Sequence, residues 1–113
     1  EHTYIVEGPI DSMFLPNCLA VAGGDLQSIK IDKKQCVLIF DNEPRNEHTV
    51  KKLMKAISDG WSVVVWPEDK NFKDINDLVI SGLSTNEILE IINKNTLKGL
   101  EANWAARKWR SVQ

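Results

Sequence analysis

The sequence has little cysteine, histidine or tyrosine, no long apolar run and no excess of positive charge. Its two cysteines, Cys18 and Cys36, lie in apolar stretches with no histidine nearby. That excludes a zinc site. The expected reading is two small buried hydrophobes in a reducing compartment, with a disulfide as the alternative. The single tyrosine, Tyr4, falls inside a strand-like segment, so the chain has no free tyrosine nucleophile of its own. No apolar run approaches the roughly 20 residues that span a bilayer, and no signal peptide is visible. Lysine and arginine number 14 against 16 acids, a net charge of -2. A domain that grips nucleic acid through a broad positive surface is basic. Any such contact here is therefore local, metal-mediated or shared with a partner domain.

What is present is globular. Hydrophobic residues make up 42% and charged residues 27% of 113 positions, which excludes disorder and fibrous repeats and fits one domain with a single core. The chain begins with Glu1 and enters a strand almost at once, so it is expected to be a piece of a longer protein.

Residues 3–6, Thr-Tyr-Ile-Val, read as a strand buried on both faces. A short helix is expected over 10–15, a second buried strand over 18–22, and a loop with a turn of helix over 25–34. Residues 36–40, Cys-Val-Leu-Ile-Phe, form the clearest strand. Pro44 fits the first position of the next helix, and Val50, Leu53, Met54 and Ile57 give that helix one apolar face. Gly60 ends it. Residues 61–66 are the fourth strand, 68–73 a charged loop and 74–80 a short helix. Ser84 and Glu87 match a capping box, and a last helix is expected over 97–112. Alternating strands and helices favour an α/β fold, a small mostly parallel sheet with helices on both faces. The expected organisation is a catalytic core over residues 1–82 and C-terminal helices over 83–113, packed on that core or on a neighbouring domain.

Acidic residues recur where the strands end: Glu7 after the first, Asp41 and Glu43 after the third, Asp69 and Asp74 after the fourth. Ligands of open parallel sheets bind at those ends. Crowded carboxylates repel by about 4 kcal/mol per close pair at an effective dielectric near 20. A divalent cation relieves that repulsion, and oxygen-only ligands suit Mg²⁺ or Mn²⁺. Solvated turn acids and helix caps are the ordinary alternative; Glu43 before Pro44 could simply favour a helix dipole.

Three segments carry a resemblance. Tyr-Ile-Val-Glu-Gly-Pro-Ile-Asp at 4–11 resembles the first Toprim motif, a strand, a Glu-Gly pair and an aspartate four residues after the glutamate. Val-Leu-Ile-Phe-Asp-Asn-Glu at 37–43 resembles the second, a strand followed by Asp-x-Asp. Lys-Asp-Ile-Asn-Asp-Leu at 73–78 looks like the third acidic segment of primases and primase-helicases. The resemblance covers roughly residues 3–82 and implies a Toprim fold whose acids bind magnesium or manganese. Carried over, Glu7 is a general acid/base or metal ligand, and Asp41 the first metal aspartate. Asp11 is a supporting acid, Asp74 the first acid of the third segment, and Glu43 the second acid of Asp-x-Asp. Three departures stand out. Glu43 replaces an aspartate, Asn76 replaces an acid that Asp77 could supply, and the stretch between the second and third strands is short and lacks a clear helix. Together they point to a phage-like branch.

The resemblance implies a DNA primase domain, transferring nucleotides from NTPs on a single-stranded DNA template in the cytoplasm of a bacterial or phage-infected cell. The expected partners are zinc-binding and basic template-binding domains of the same parent protein and a replicative helicase. Arg45, Lys70 and Lys73 are candidates for phosphate or nucleotide, and Arg107, Lys108 and Arg110 for nucleic acid; for each, a solvated surface charge is the plain alternative. Trp104 and Trp109 could stack bases or dock the last helix. Two other functions use the same residues: a Toprim nuclease or topoisomerase-related domain, and a catalytically degenerate docking module motivated by Glu43 and Asn76.

Overall fold

A computed structural model describes residues 2–21, 26, 29–67 and 71–111. Strand β1 (Thr3–Val6), helix α1 (Pro9–Ser12) and strand β2 (Cys18–Ala20) open the chain. A 3₁₀ turn (Lys33–Gln35) leads into strand β3 (Cys36–Ile39), helix α2 (Glu47–Ser58) and strand β4 (Ser62–Val64). Helices α3 (Ile75–Ile80) and α4 (Thr85–Lys94), strand β5 (Thr96–Leu97) and helix α5 (Gly99–Arg110) complete it.

The strands form one sheet in the order β2-β1-β3-β4-β5. The first four are mutually parallel, and β5 runs antiparallel to β4. From β1 the chain moves outward to β2; from β3 it moves the other way to β4. With right-handed crossovers, α1 and α2 fall on opposite faces. Helix α5 packs on α2 and β4, whereas α1, α3 and α4 form a second group. All four residues of β3 are buried, as the unbroken apolar run predicts for a central parallel strand. The core adds Leu53, Val63, Ile75, Ile88, Ile92, Ala102 and Ala106. Spacing the apolar residues of α2 and α4 every three or four positions turns Val50, Leu53 and Ile57, and Ile88 and Ile92, inward.

Some boundaries differ from the sequence reading. Strand β2 is the edge of the sheet among the described residues, which leaves Leu19 and Ala20 exposed rather than buried. Helix α2 starts at Glu47 instead of Pro44. Asn46 caps it by accepting from the amides of His48 and Thr49, and the Asn46 amide donates to the Glu43 carbonyl at 3.1 Å. Pro44 and Arg45 therefore form a turn, and Glu43 lies outside the helix. The last helix begins at Gly99 because Thr96 and Leu97 pair with β4. The Ser84–Glu87 capping box is formed, and Gly60, at φ 92°, closes α2 as expected. Both cysteines are free, and burial pushes the Cys18 thiol up to about 11. Gly23 and Gly24 lie outside the described residues. No helix among the described residues is long and apolar enough to cross a membrane.

Leu38 is 1% exposed at the middle of β3. Leu38→Ala is expected to lower the unfolding free energy by about 2–5 kcal/mol, read from urea titration. A loss under about 1 kcal/mol would show that β3 is not the packing centre.

Candidate metal centre

The order of strands reverses between β1 and β3, and that is where an open α/β sheet forms a crevice at its carboxyl edge. The register sets Val6 beside Ile39, so Glu7 and Asp41 leave the sheet together at that edge. Two further acids reach the crevice from other elements. Asp11, on α1, is buried and accepts from the Asn76 amide at 3.0 Å. Asp74 caps α3 by accepting from the Asp77 amide at 2.9 Å.

Asp11, Asp41 and Asp74 each offer a carboxylate oxygen within 4.8 Å of the others. The cluster is electrostatically uncomfortable. Burial, then the charges of Asp74, Glu43, Asp11 and Glu7, pushes Asp41 up to about 6. Asp11 is raised by burial and by Asp74, against the opposing pull of the Asn76 amide and Lys73. Three hard oxygen donors converging from three elements, with their charges mutually penalised, suit a divalent cation.

Glu7 and Glu43 stand beside this group. The Glu7 carboxylate pairs with Lys52 of α2, each side chain 27% exposed, and both Glu7 and Glu43 are near enough to raise Asp41. The sequence reading centred the site on Glu7, Asp41 and Glu43 with Asp11 and Asp74 in support. In the folded chain it is Asp11, Asp41 and Asp74 whose carboxylate oxygens gather within 4.8 Å of one another. Lys73 is exposed, with its charge felt at Asp11. Lys70 lies outside the described residues.

Asn42, between the two acids of the second motif, organises the crevice wall. Its amide donates to the Lys73 carbonyl at 2.6 Å, and its side-chain Nδ2 donates to the Phe72 carbonyl at 2.9 Å. Its Oδ1 accepts from the Trp109 indole at 2.8 Å. Phe72 packs edge-on against Trp66, with ring centroids 4.9 Å apart, and the Trp66 indole donates to the Phe40 carbonyl at 2.8 Å. One asparagine thus ties the second motif to the third acidic segment and to the last helix. Trp109 is a docking residue, 3% exposed; Trp104 is 67% exposed with Lys108 over its ring at 5.0 Å.

The basic candidates separate in the same way. Arg45 from the Pro44 turn and Arg110 from the end of α5 line one open cleft of about 510 Å³ with Lys51 of α2, over an apolar floor that includes Val50 and Met54. Glu47 is its acidic member. Arg107 points its Nε at Asn103, 3.0 Å away, and is exposed. Asn42, Lys51 and Lys52 were missed from sequence. Asn42 sits inside a motif where only the acids attract notice, and nothing local marks Lys51 or Lys52 among the polar residues of a helix.

No protein-family profile matches the sequence. The chain is 34% identical over 113 residues to the DNA primase of Enterobacteria phage T4. This chain is similar to a DNA primase. The match takes in 96% of the chain and spans 33% of that protein's length.

The raised Asp41 carboxyl carries a stability cost whose sign is set by its two pKa values. It keeps its proton to about pH 6 when folded and loses it near 3.8 when unfolded. Stability therefore falls as pH rises through that window in the absence of a cation. Asp41→Asn is expected to stabilise the metal-free chain at about pH 8 by about 1–2 kcal/mol after allowance for solvent screening, with little gain at about pH 4. Urea unfolding at the two pH values checks this; equal effects at both would contradict it.

Proposed function

We propose that the chain is the Toprim-type catalytic domain of a phage-like DNA primase, joining nucleotides on a single-stranded DNA template. The observation that carries the reading is the convergence of Asp11, Asp41 and Asp74 from three separate elements on one point, at the strand ends where the Toprim-like motifs lie. Similarity to a phage primase supports it.

In this reading Asp11, Asp41 and Asp74 hold Mg²⁺ or Mn²⁺, with Glu43 adding negative charge beside them. When bound, the cation supplies charge neutralisation for the phosphoryl oxygens and acidifies the attacking hydroxyl. The reaction forms a bond from a nucleotide 3′-oxygen to the α-phosphorus of an NTP and breaks the bond to the β-phosphate, releasing pyrophosphate. Glu7 is the proton acceptor. Lys52 engages its Oε2, which leaves Oε1 to take the hydroxyl proton. The Asn42 bonds to Phe72, Lys73 and Trp109 hold the crevice wall in place, so little is reorganised when substrate arrives. Arg45 and Lys73 steer phosphates, and Lys70 belongs with them by its place in the sequence. The cleft of Arg45, Lys51 and Arg110 receives the negatively charged strand, with Arg107 and Lys108 on the outer side of the same helix. The rest of such a protein would hold zinc-binding and basic template-binding domains and work with a replicative helicase in the cytoplasm. Residues 83–113 would brace the core against those domains.

Mn²⁺ titration, read as paramagnetic broadening of backbone amides, tests the metal site. Broadening confined to the surroundings of Asp11, Asp41 and Asp74 that disappears in Asp41→Asn is the expected result. Broadening over all surface acids, unchanged by that substitution, would leave a degenerate docking module in its place. Binding of a labelled single-stranded oligonucleotide tests the cleft. Lys51→Gln combined with Arg110→Gln is expected to weaken binding at least about fivefold and to reduce the salt slope by about 0.7 for each phosphate no longer neutralised. An unchanged slope would remove the strand from the cleft.

A further inference from the structure

Five carboxylates face the crevice, but only one of them has an ion-pair partner among the described residues. Lys52, on the second turn of α2, reaches across to Glu7 at the end of β1. The two residues are 45 positions apart, and Lys52 lies in none of the three acidic segments. Both side chains are about one quarter exposed, so solvent screens the pair less than it screens an open surface pair. The lysine stem rises from a helix whose buried face, with Thr49, Val50 and Leu53, is locked in the core.

That contact has a chemical consequence. Glu7 follows β1 and Asp41 follows β3 at one carboxyl edge, where Val6 and Ile39 are paired. A flexible glutamate at that edge, left unpaired, is drawn into the coordination shell of any cation held by the aspartates. A glutamate bonded to a metal is a poor proton acceptor, because the cation withdraws the lone pair that would take the proton. The ammonium of Lys52 competes for the same carboxylate, and it is anchored to a rigid element. We propose that Lys52 is a positioning residue that holds Glu7 apart from the cation bound by Asp11, Asp41 and Asp74, so that Glu7 stays free for proton transfer. This rests on the metal-site reading above and adds to it a division of labour: three acids for the cation, one acid for the proton and one lysine to keep them separate.

The pair also answers an electrostatic problem. Without Lys52 the metal-free crevice would hold Glu7 as a further unpaired charge beside Asp41. With it, the local excess falls by one charge before any cation arrives. Asparagine or glutamine at position 7 would remove the charge but also the proton acceptor, so the lysine preserves a function that a neutral residue could not.

The test uses the whole chain with ¹³C-labelled aspartate and glutamate side chains, titrated with Mn²⁺ alone. In the wild type, the Glu7 Cδ resonance is expected to survive at a Mn²⁺ level that erases the Cγ resonances of Asp11, Asp41 and Asp74. In Lys52→Met, Glu7 Cδ is expected to be erased together with them, and Mn²⁺ affinity to rise about tenfold as a fourth carboxylate joins. Lys52→Arg, which keeps the charge and the reach, should restore the wild-type pattern; a purely structural lysine would not shift which carbons are erased. Glu7→Gln with Lys52 intact should change Mn²⁺ affinity by about threefold or less. The proposal is overturned if Glu7 Cδ is erased with the aspartates in the wild type, or if Lys52→Met leaves the Glu7 resonance unaffected. Failure of the underlying metal reading has its own signature: Asp41→Asn would leave Mn²⁺ binding unchanged, whatever happens at Glu7.

Discussion

Everything chemical in this chain depends on β1 and β3 lying side by side and parallel at the centre of the sheet. Their pairing, from Thr3 with Cys36 to Val6 with Ile39, brings Glu7 and Asp41 off the same edge, one residue apart in register. The chain turns to opposite sides after these two strands, which leaves a crevice between their carboxyl ends. The crevice is therefore open to a ligand, and the residues at its rim are free to be polar. The buried strands beneath supply the rigidity, since β3 has no exposed residue to yield.

A crevice lined by acids is costly to the fold. Asp41 is raised to about 6 by burial and by four neighbouring carboxylates, and Asp11 is raised for the same kinds of reason. The chain tolerates this because three of the four acids around Asp41 are anchored. Asp11 takes the Asn76 amide, Asp74 takes the Asp77 amide, and Glu7 takes Lys52. Asp41, on which the other four carboxylates act, has no lowering influence of its own. Sites with that pattern of strain and anchoring are where cation binding returns the most stability.

The last helix is part of this arrangement rather than an appendage to it. Trp109 donates to Asn42, and Asn42 in turn holds the Phe72–Lys73 backbone. A bond from the end of the chain thus reaches the motif in its middle and sets the wall against which Asp74 begins α3. The same docking carries Arg110 to the cleft shared with Arg45 and Lys51. In the proposed primase reading, α5 would link the strand-binding side of the domain to its metal side.

Much of the fold was legible because its signals are local. The β-branched and apolar runs of β1 and β3, the spacing of Val50, Leu53 and Ile57, the Ser84–Glu87 box and the Gly60 stop each depend on a few neighbouring residues. The acids at the strand ends were visible for the same reason, as was their resemblance to three motifs. The short strand β5 was not, because two residues carry no period and only their pairing with β4 defines them. Nor was the exposure of β2, since position in the sheet decides whether a strand is an edge. The partners within the site were decided by tertiary structure alone. Lys52 meets Glu7 across 45 positions, Asn76 meets Asp11 across 65 and Trp109 meets Asn42 across 67. The sequence by itself determined which residues are apolar, which end a strand and which are acidic. Only the folded chain decided which acids converge, which one pairs with a lysine and which tryptophan of the last helix is buried, because those choices depend on distances between elements that no local pattern encodes.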